Sequence, residues 1–127
     1  MDPTIEQALT RGQVIDITTT GRTSGQPRRV EIVYHVFDGR IYISGMASPK
    51  PRAWLRNLEA DPRLTFHLKK GPVADLGATA RVITDSVERH EILAKVAAVW
   101  KRDPALMEAQ SPLIEVMIDG HEGHRAA

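Results

Sequence analysis

The sequence predicts an α+β protein, a small six-stranded, mostly antiparallel β-barrel carrying two to three helices. Three observations predict it. Six stretches are rich in β-branched residues or alternate apolar with polar side chains, as half-buried strands do. Most are joined by short turns, such as Asp38-Gly39 and Gly71-Pro72, that suit hairpins. Helical segments interrupt the strands, and closing the sheet into a barrel would hide its unpaired edges.

The elements follow in order. Thr4–Thr10 reads as a short helix with Ile5 and Leu9 on one face, closed by Gly12. Val14–Thr20 is a β-branched strand, and GRTSGQP is the loop after it. Arg28–Phe37 and Arg40–Gly45 form a hairpin about Asp38-Gly39. A helix follows over Pro51–Ala60, with Trp54, Leu55 and Leu58 on one face, and Asp61-Pro62 ends it. Arg63–Lys69 alternates, Leu64, Phe66 and Leu68 against Thr65 and His67. ADLGATARVI is the next strand, with Gly77 expected at a bulge. Asp85 and Glu88 have capping-box spacing at the start of the longest helix, striped by Ile92, Leu93, Val96, Val99 and Trp100. Asp103-Pro104 is expected to stop it, and Pro112–Ile118 is the last strand. Alternation sets Tyr34 opposite His35 without saying which faces the core.

At 127 residues one domain, 1–127, is expected, with a helical start over 1–12 and a flexible tail over 119–127. No apolar run approaches the ~20 residues that span a bilayer. The opening MDPTIEQALTRG is polar, unlike a secretory signal, and no membrane anchor is expected. The chain has no cysteine, which excludes disulfides and thiolate chemistry and makes the cytoplasm the expected location. The net charge of +1 hides an asymmetry. Arg22–Lys70 holds ten Lys/Arg against four Asp/Glu, and the remainder seven against twelve. Either the two regions neutralise each other in the fold or the middle of the chain meets an anion.

Several chemistries are absent. The five histidines are scattered, so no metal site is expected. Neither a GxSxG elbow nor a P-loop occurs. Aromatic content is 5% and the arginine-rich loop has no aromatic residue, so nucleic-acid binding is not expected. Two segments remain. In GRTSGQPRR, Gly21 and Gly25 permit a tight backbone whose N–H groups could cradle an anion beside Thr23 and Ser24. Arg22 and Arg28 could clamp phosphate or carboxylate; the same residues would also suit a solvated turn whose arginines pair with surface acids. In SGMASPKPRAWLRNL a loop feeds a helix N-terminus, where Lys50 and Arg52 oppose the helix dipole unless an anion binds. Trp54 there suits the core better than a cofactor platform.

TTTGRTSGQPRR, a hairpin, and then SGMASPKPRAWLRNLEADPRL, with Ser44 ten residues before Trp54, together resemble the deazaflavin-dependent nitroreductase/quinone reductase family. The resemblance covers about Ile17 to Thr84. It implies the split β-barrel fold of the flavin/deazaflavin oxidoreductases, which resembles FMN-binding barrels. It also implies an oxidoreductase that passes a hydride from reduced coenzyme F-420 to a quinone-like, nitro or other conjugated electrophile. That cofactor is strongly anionic, with a phosphodiester and a polyglutamate tail. By motif position, Arg22, Thr23 and Arg28 would line its phosphate and tail groove. Ser44, Gly45 and Met46 would face the phosphate or ring, and Lys50, Arg52, Ala53, Trp54 and Asn57 would border it from the helix. The chain departs from the family pattern at Thr23, at Gly45-Met46-Ala47 and in AVWKRDPALMEAQ, where Trp100 replaces the usual tyrosines as the substrate-side aromatic. A flavin reductase that binds FMN and a non-catalytic anion-binding barrel are the alternatives. A homodimer is expected from family analogy.

Overall fold

The computed structural model describes residues 1–121. Six antiparallel strands close a barrel in the order β1-β2-β3-β6-β5-β4. They are β1 (Val14–Thr20), β2 (Pro27–Phe37), β3 (Arg40–Ser44), β4 (Arg63–Leu68), β5 (Ala74–Val82) and β6 (Leu113–Ile118). Among the described residues four helices decorate it: α1 (Pro3–Ala8), α2 (Ala53–Ala60), α3 (Ser86–Trp100) and α4 (Pro104–Gln110). No described helix is long and apolar enough to cross a membrane.

Alternation builds the interior. Ile15 and Ile17 of β1, Tyr34 of β2 and Leu64, Phe66 and Leu68 of β4 point inward and are at most 5% exposed. Each such side chain contributes about 1.5–3 kcal/mol by leaving water. Leu9, Trp54 and Leu58 join this core cluster from the helical segments. Tyr34, whose face alternation left open, is an inward residue. Its hydroxyl donates to the Ala8 carbonyl at 2.9 Å, and its ring meets Phe66 edge-on at 5.1 Å. A second cluster lies where α3 and α4 cover the barrel, from Tyr42, Ile83, Ile92, Leu93, Val96, Ala97, Met107 and Leu113.

The turn at Asp38-Gly39 is as expected: both residues have positive φ, 53° and 76°, as a two-residue hairpin of this twist requires. Elsewhere the structure corrects the sequence. α3 stops at Trp100, before Asp103-Pro104, where Lys101 turns left-handed with φ of 55°, and Asp103-Pro104 instead starts α4: Asp103 accepts the Ala105 N–H at 2.9 Å and Pro104 occupies the first helical turn. Asp85 caps α3 through the Glu88 N–H, yet Glu88 does not complete the box, because Arg81 takes its carboxylate. Val99 is 58% exposed and Ala97 takes its place in the buried stripe. Gly77 marks no bulge, since β4 and β5 pair without a break from Arg63↔Thr79 to Leu68↔Ala74. It instead makes room for the Arg63–Asp119 pair: a Cβ there would lie 2.8 Å from Asp119 Oδ2.

The expected tail over 119–127 is described only as far as His121. Asp119 bonds Arg63 through both oxygens, and His121 Nδ1 lies 2.7 Å from Glu6. Residues 122–127, His124 included, lie outside the described residues.

Candidate functional site

The segment between β1 and β2 is a tight hairpin loop held by its own backbone. Gly21 N–H donates to Gln26 O and Gly25 N–H to Gly21 O, both at 2.8 Å. Gln26 N–H donates to Ser24 Oγ at 3.1 Å. Gly21 keeps the loop tight, because a Cβ would sit 2.6 Å from Ser24 Oγ and would displace that hydroxyl from the Gln26 N–H. Gly25 is required by conformation, with φ of 70°. Among the described residues, the N–H groups of Thr23 and Ser24 have no protein acceptor.

Asn57 fixes this loop to the rest of the molecule. It is 4% exposed. Its Oδ1 accepts the Arg22 N–H at 3.1 Å and its Nδ2 donates to Thr19 Oγ1 at 3.0 Å. One amide thus joins helix α2, the loop and the end of β1. Trp54, one turn earlier on α2, is 9% exposed and belongs to the core cluster while also forming a wall of the site.

The result is a cleft of about 550 Å³ lined by Arg22, Thr23, Arg28, Ala53, Trp54 and Asn57, all expected from the sequence, together with Gly21 and Ser24 of the loop. Three further residues line it that the sequence did not single out: Thr19, Arg29 and Val30. They arrive through pairing, for Thr18↔Arg29 and Thr19↔Arg28 are neighbours across β1 and β2. Thr19 and Arg29 lie within the TTTGRTSGQPRR motif, which was their signal, and Val30 follows it directly.

The charges of the cleft are unusual. Among the described residues neither Arg22 nor Arg28 has a carboxylate partner; Arg28 reaches only Ser24 Oγ, at 3.4 Å. Arg22 and Arg28 are exposed, as in a solvated turn, but neither pairs with an acid among the described residues. Arg29 differs, with Nε 2.9 Å from Asp16 Oδ2. Lys69, and after it Arg29, hold the Asp16 carboxyl below its ordinary range.

The other expected residues lie outside this cleft. Ser44 is 1% exposed and donates to the Pro112 carbonyl at 2.7 Å, tying the end of β3 to the start of β6. The Arg52 guanidinium donates to the Met46 carbonyl, and a Cβ on Gly45 would lie 3.1 Å from it. Lys50 and Arg52 line a separate groove of about 300 Å³ with Ser111 and Pro112. Arg52 also begins α2 without any side-chain cap, and no acid sits in its first turn. Trp100 is elsewhere, edge-on to His35 at 5.1 Å on the side covered by α3. No cluster that could hold a metal ion occurs among the described residues.

This arrangement can bind a polyvalent anion: one concavity is lined by two arginines without a carboxylate partner and by two residues whose N–H groups have no protein acceptor among the described residues. Comparison with known proteins gives the chemistry a context. The family model described as F420H(2)-dependent quinone reductase matches residues 2–119. The fold is similar to that of a solved F420 reductase, with 15% identity, a TM-score of 0.65, and 91% of this chain and 93% of that one covered. It is also similar to an F420-H2 dependent reductase, FDR-A, at 23% identity and a TM-score of 0.59, covering 82% and 93%. A third structure, a domain-swapped dimer, matches at 23% identity and a TM-score of 0.59, covering 82% and 79%.

Proposed function

The chain belongs to the F420H(2)-dependent quinone reductase family and is an F420-dependent oxidoreductase, and from that premise we propose where it holds its cofactor and what it reduces. The phosphodiester and acidic tail of the cofactor lie in the cleft between the β1–β2 loop and α2. The single observation that carries this is the convergence of Arg22 and Arg28, both without a carboxylate partner among the described residues, on one concavity. The residues present fit such a group. A guanidinium offers two parallel N–H donors to phosphate or carboxylate, and the Thr23 and Ser24 N–H groups add backbone donors.

Asn57 is the positioning residue, since it holds the Arg22 backbone rather than spending its amide on the ligand. Trp54 gives the cleft a rigid apolar wall. Lys50 and Arg52, in the neighbouring groove, contribute positive potential at the uncapped start of α2. Trp100 has a packing role against His35. When bound in reduced form, the cofactor supplies a hydride from carbon 5 of its ring to a quinone-like, nitro or other conjugated electrophile. The protein's share is to orient, to neutralise charge and to exclude water. We further infer a cytoplasmic homodimer; light scattering should then give twice the chain mass of 14.1 kDa.

Parallel titration with F420 and FMN, followed by tryptophan fluorescence, tests the assignment of the cleft. Saturable quenching by F420 in preference to FMN is expected. Tighter binding of FMN, giving a yellow protein, would point to a flavin reductase instead. Stopped-flow mixing of the reduced cofactor complex with menadione tests turnover, and no oxidation at saturating cofactor would leave an anion-binding barrel without catalysis.

A further inference from the structure

The outer face of the barrel carries a set of polar residues that the cleft does not use. Strand alternation sets Thr18 of β1, His67 of β4 and Asp75 of β5 opposite the core residues Ile17, Phe66 and Leu68. His67 stands between the other two. Its Nε2 lies 2.7 Å from Thr18 Oγ1, and its Nδ1 lies 2.6 Å from Asp75 Oδ1. Asp75 is ionised at neutral pH, since His67, and after it Arg29, hold its carboxyl below the ordinary range. A carboxylate only accepts, so the neutral ring carries its proton on Nδ1 and its Nε2 accepts the Thr18 O–H.

Hydroxyl, imidazole and carboxylate in this order are what turn an alcohol into a nucleophile. The ring can take the hydroxyl proton, and the acid fixes its tautomer and orientation. Joining strands does not call for the arrangement. Backbone pairing already links β1 to β4 and β4 to β5 at these positions, through Asp16↔His67 and His67↔Asp75. His90, by contrast, meets Glu108 at 2.9 Å with no hydroxyl bonded to its ring among the described residues. His67 is buried and Thr18 half-buried, while the Asp75 side chain is 71% exposed, so the ring is sheltered on a face that solvent reaches. Arg29 is the residue directly across from Thr18 on β2, which puts a cation on this face.

We propose that Thr18, His67 and Asp75 form a second reactive site, a threonine nucleophile with its base and orienting acid, that cleaves small activated acyl esters. Thr18 Oγ attacks the ester carbonyl carbon while its proton passes to His67 Nε2. The carbonyl re-forms, the bond to the leaving alcohol breaks, and that oxygen takes the proton from His67. Water then attacks the acyl group on Thr18 by the same route and restores the hydroxyl. Ester and water become acid and alcohol, with no change of oxidation state. None of the three residues lines the cleft, so this site is independent of the cofactor assignment.

The test is hydrolysis of p-nitrophenyl acetate by the full chain, with peptide mass spectrometry after an acid quench. Nitrophenolate should be released and the acetyl group found on the peptide that carries Thr18. Thr18→Val and His67→Gln should each slow hydrolysis about 100-fold, the lower end of what a positioned base contributes. The double variant should be no slower than either, because the two act as a unit. Thr18→Ser should retain activity. Asp75→Asn should cost less than His67→Gln, since water can reach the ring nitrogen that Asp75 orients. His90→Gln controls for catalysis by any surface imidazole and should leave the rate unchanged.

Acetyl groups found only on lysines or the N-terminus would overturn the proposal. So would a wild-type rate in Thr18→Val, or in a His67→Gln chain that unfolds cooperatively in urea. If His67→Gln does not fold, the adduct and the contrast between Thr18→Val and Thr18→Ser decide.

Discussion

Arginines do opposite work on two sides of this barrel. Where α3 covers β5 and β6, Arg81 bonds Glu88 through two nitrogens at 2.9 and 2.6 Å and Glu115 at 2.8 Å. These acids drive the Arg81 pKa further up, Glu88 first. Arg89 is likewise satisfied, donating to the carbonyls of Glu108 and Ser111 at 2.8 Å and so fastening α4 to α3. At the β1–β2 loop, Arg22 and Arg28 find no acid among the described residues. The guanidinium groups that hold this fold together have their donors filled from within, whereas those proposed to serve a ligand lack a carboxylate partner among the described residues. Net charge cannot separate the two uses; partners can.

The largest expected break in this contrast is Arg81→Met. It would leave Glu115, 5% exposed, with only Arg40 at 3.7 Å. Stability should fall by about 2–3 kcal/mol, less than for a fully buried pair because solvent reaches the guanidinium. Urea unfolding measures this, and F420 affinity should stay at its wild-type value. Arg28→Ala is the converse. It should weaken F420 binding by about 1.5–3 kcal/mol, as losing a hydrogen bond to a charged group does, with the urea midpoint almost unmoved. An unchanged dissociation constant in a folded variant would remove Arg28 from the site. Asn57→Ala should blur the contrast by costing about 1–3 kcal/mol of stability and loosening the cleft together, since the buried Thr19 hydroxyl and the Arg22 N–H of the loop both lose their bonds.

A smaller effect distinguishes His35, on the α3 side. It is 5% exposed, its Nε2 has no hydrogen-bond partner among the described residues, and burial pushes its pKa below the ordinary 6.5. The unfolded chain therefore takes up this proton before the folded one does. The stability due to neutral His35 is present above pH 6.5 and is lost as pH falls from there toward the lowered folded value. His35→Phe should flatten that acid slope in thermal unfolding, and an unaltered slope would contradict the assignment.

What was legible in the sequence was local. The Asp38-Gly39 turn, the alternation of Leu64, Phe66 and Leu68, and the tight loop around Gly21 and Gly25 each depend on neighbours within a few residues. The misses are of two kinds. Some signals serve a structure other than the one expected, as Asp103-Pro104 does in capping α4 after α3 has already stopped at Lys101. Others depend on distant partners. Glu88 was diverted by Arg81, Gly77 makes room for Asp119, and His121 meets Glu6 115 positions away. The site divides in the same way. The loop and the first two turns of α2 were readable as motifs, while Thr19 and Arg29, though within the first motif, and Val30 beside it entered the cleft through strand pairing.

The double hydrogen bond of Asn57 has a kinetic consequence. Because that amide already holds the loop backbone in the folded chain, an incoming anion should meet a wall in place, with no segment left to order. Association should follow a single exponential whose rate climbs linearly with ligand concentration and shows no plateau, while a slow, saturating phase should emerge only when the amide is removed.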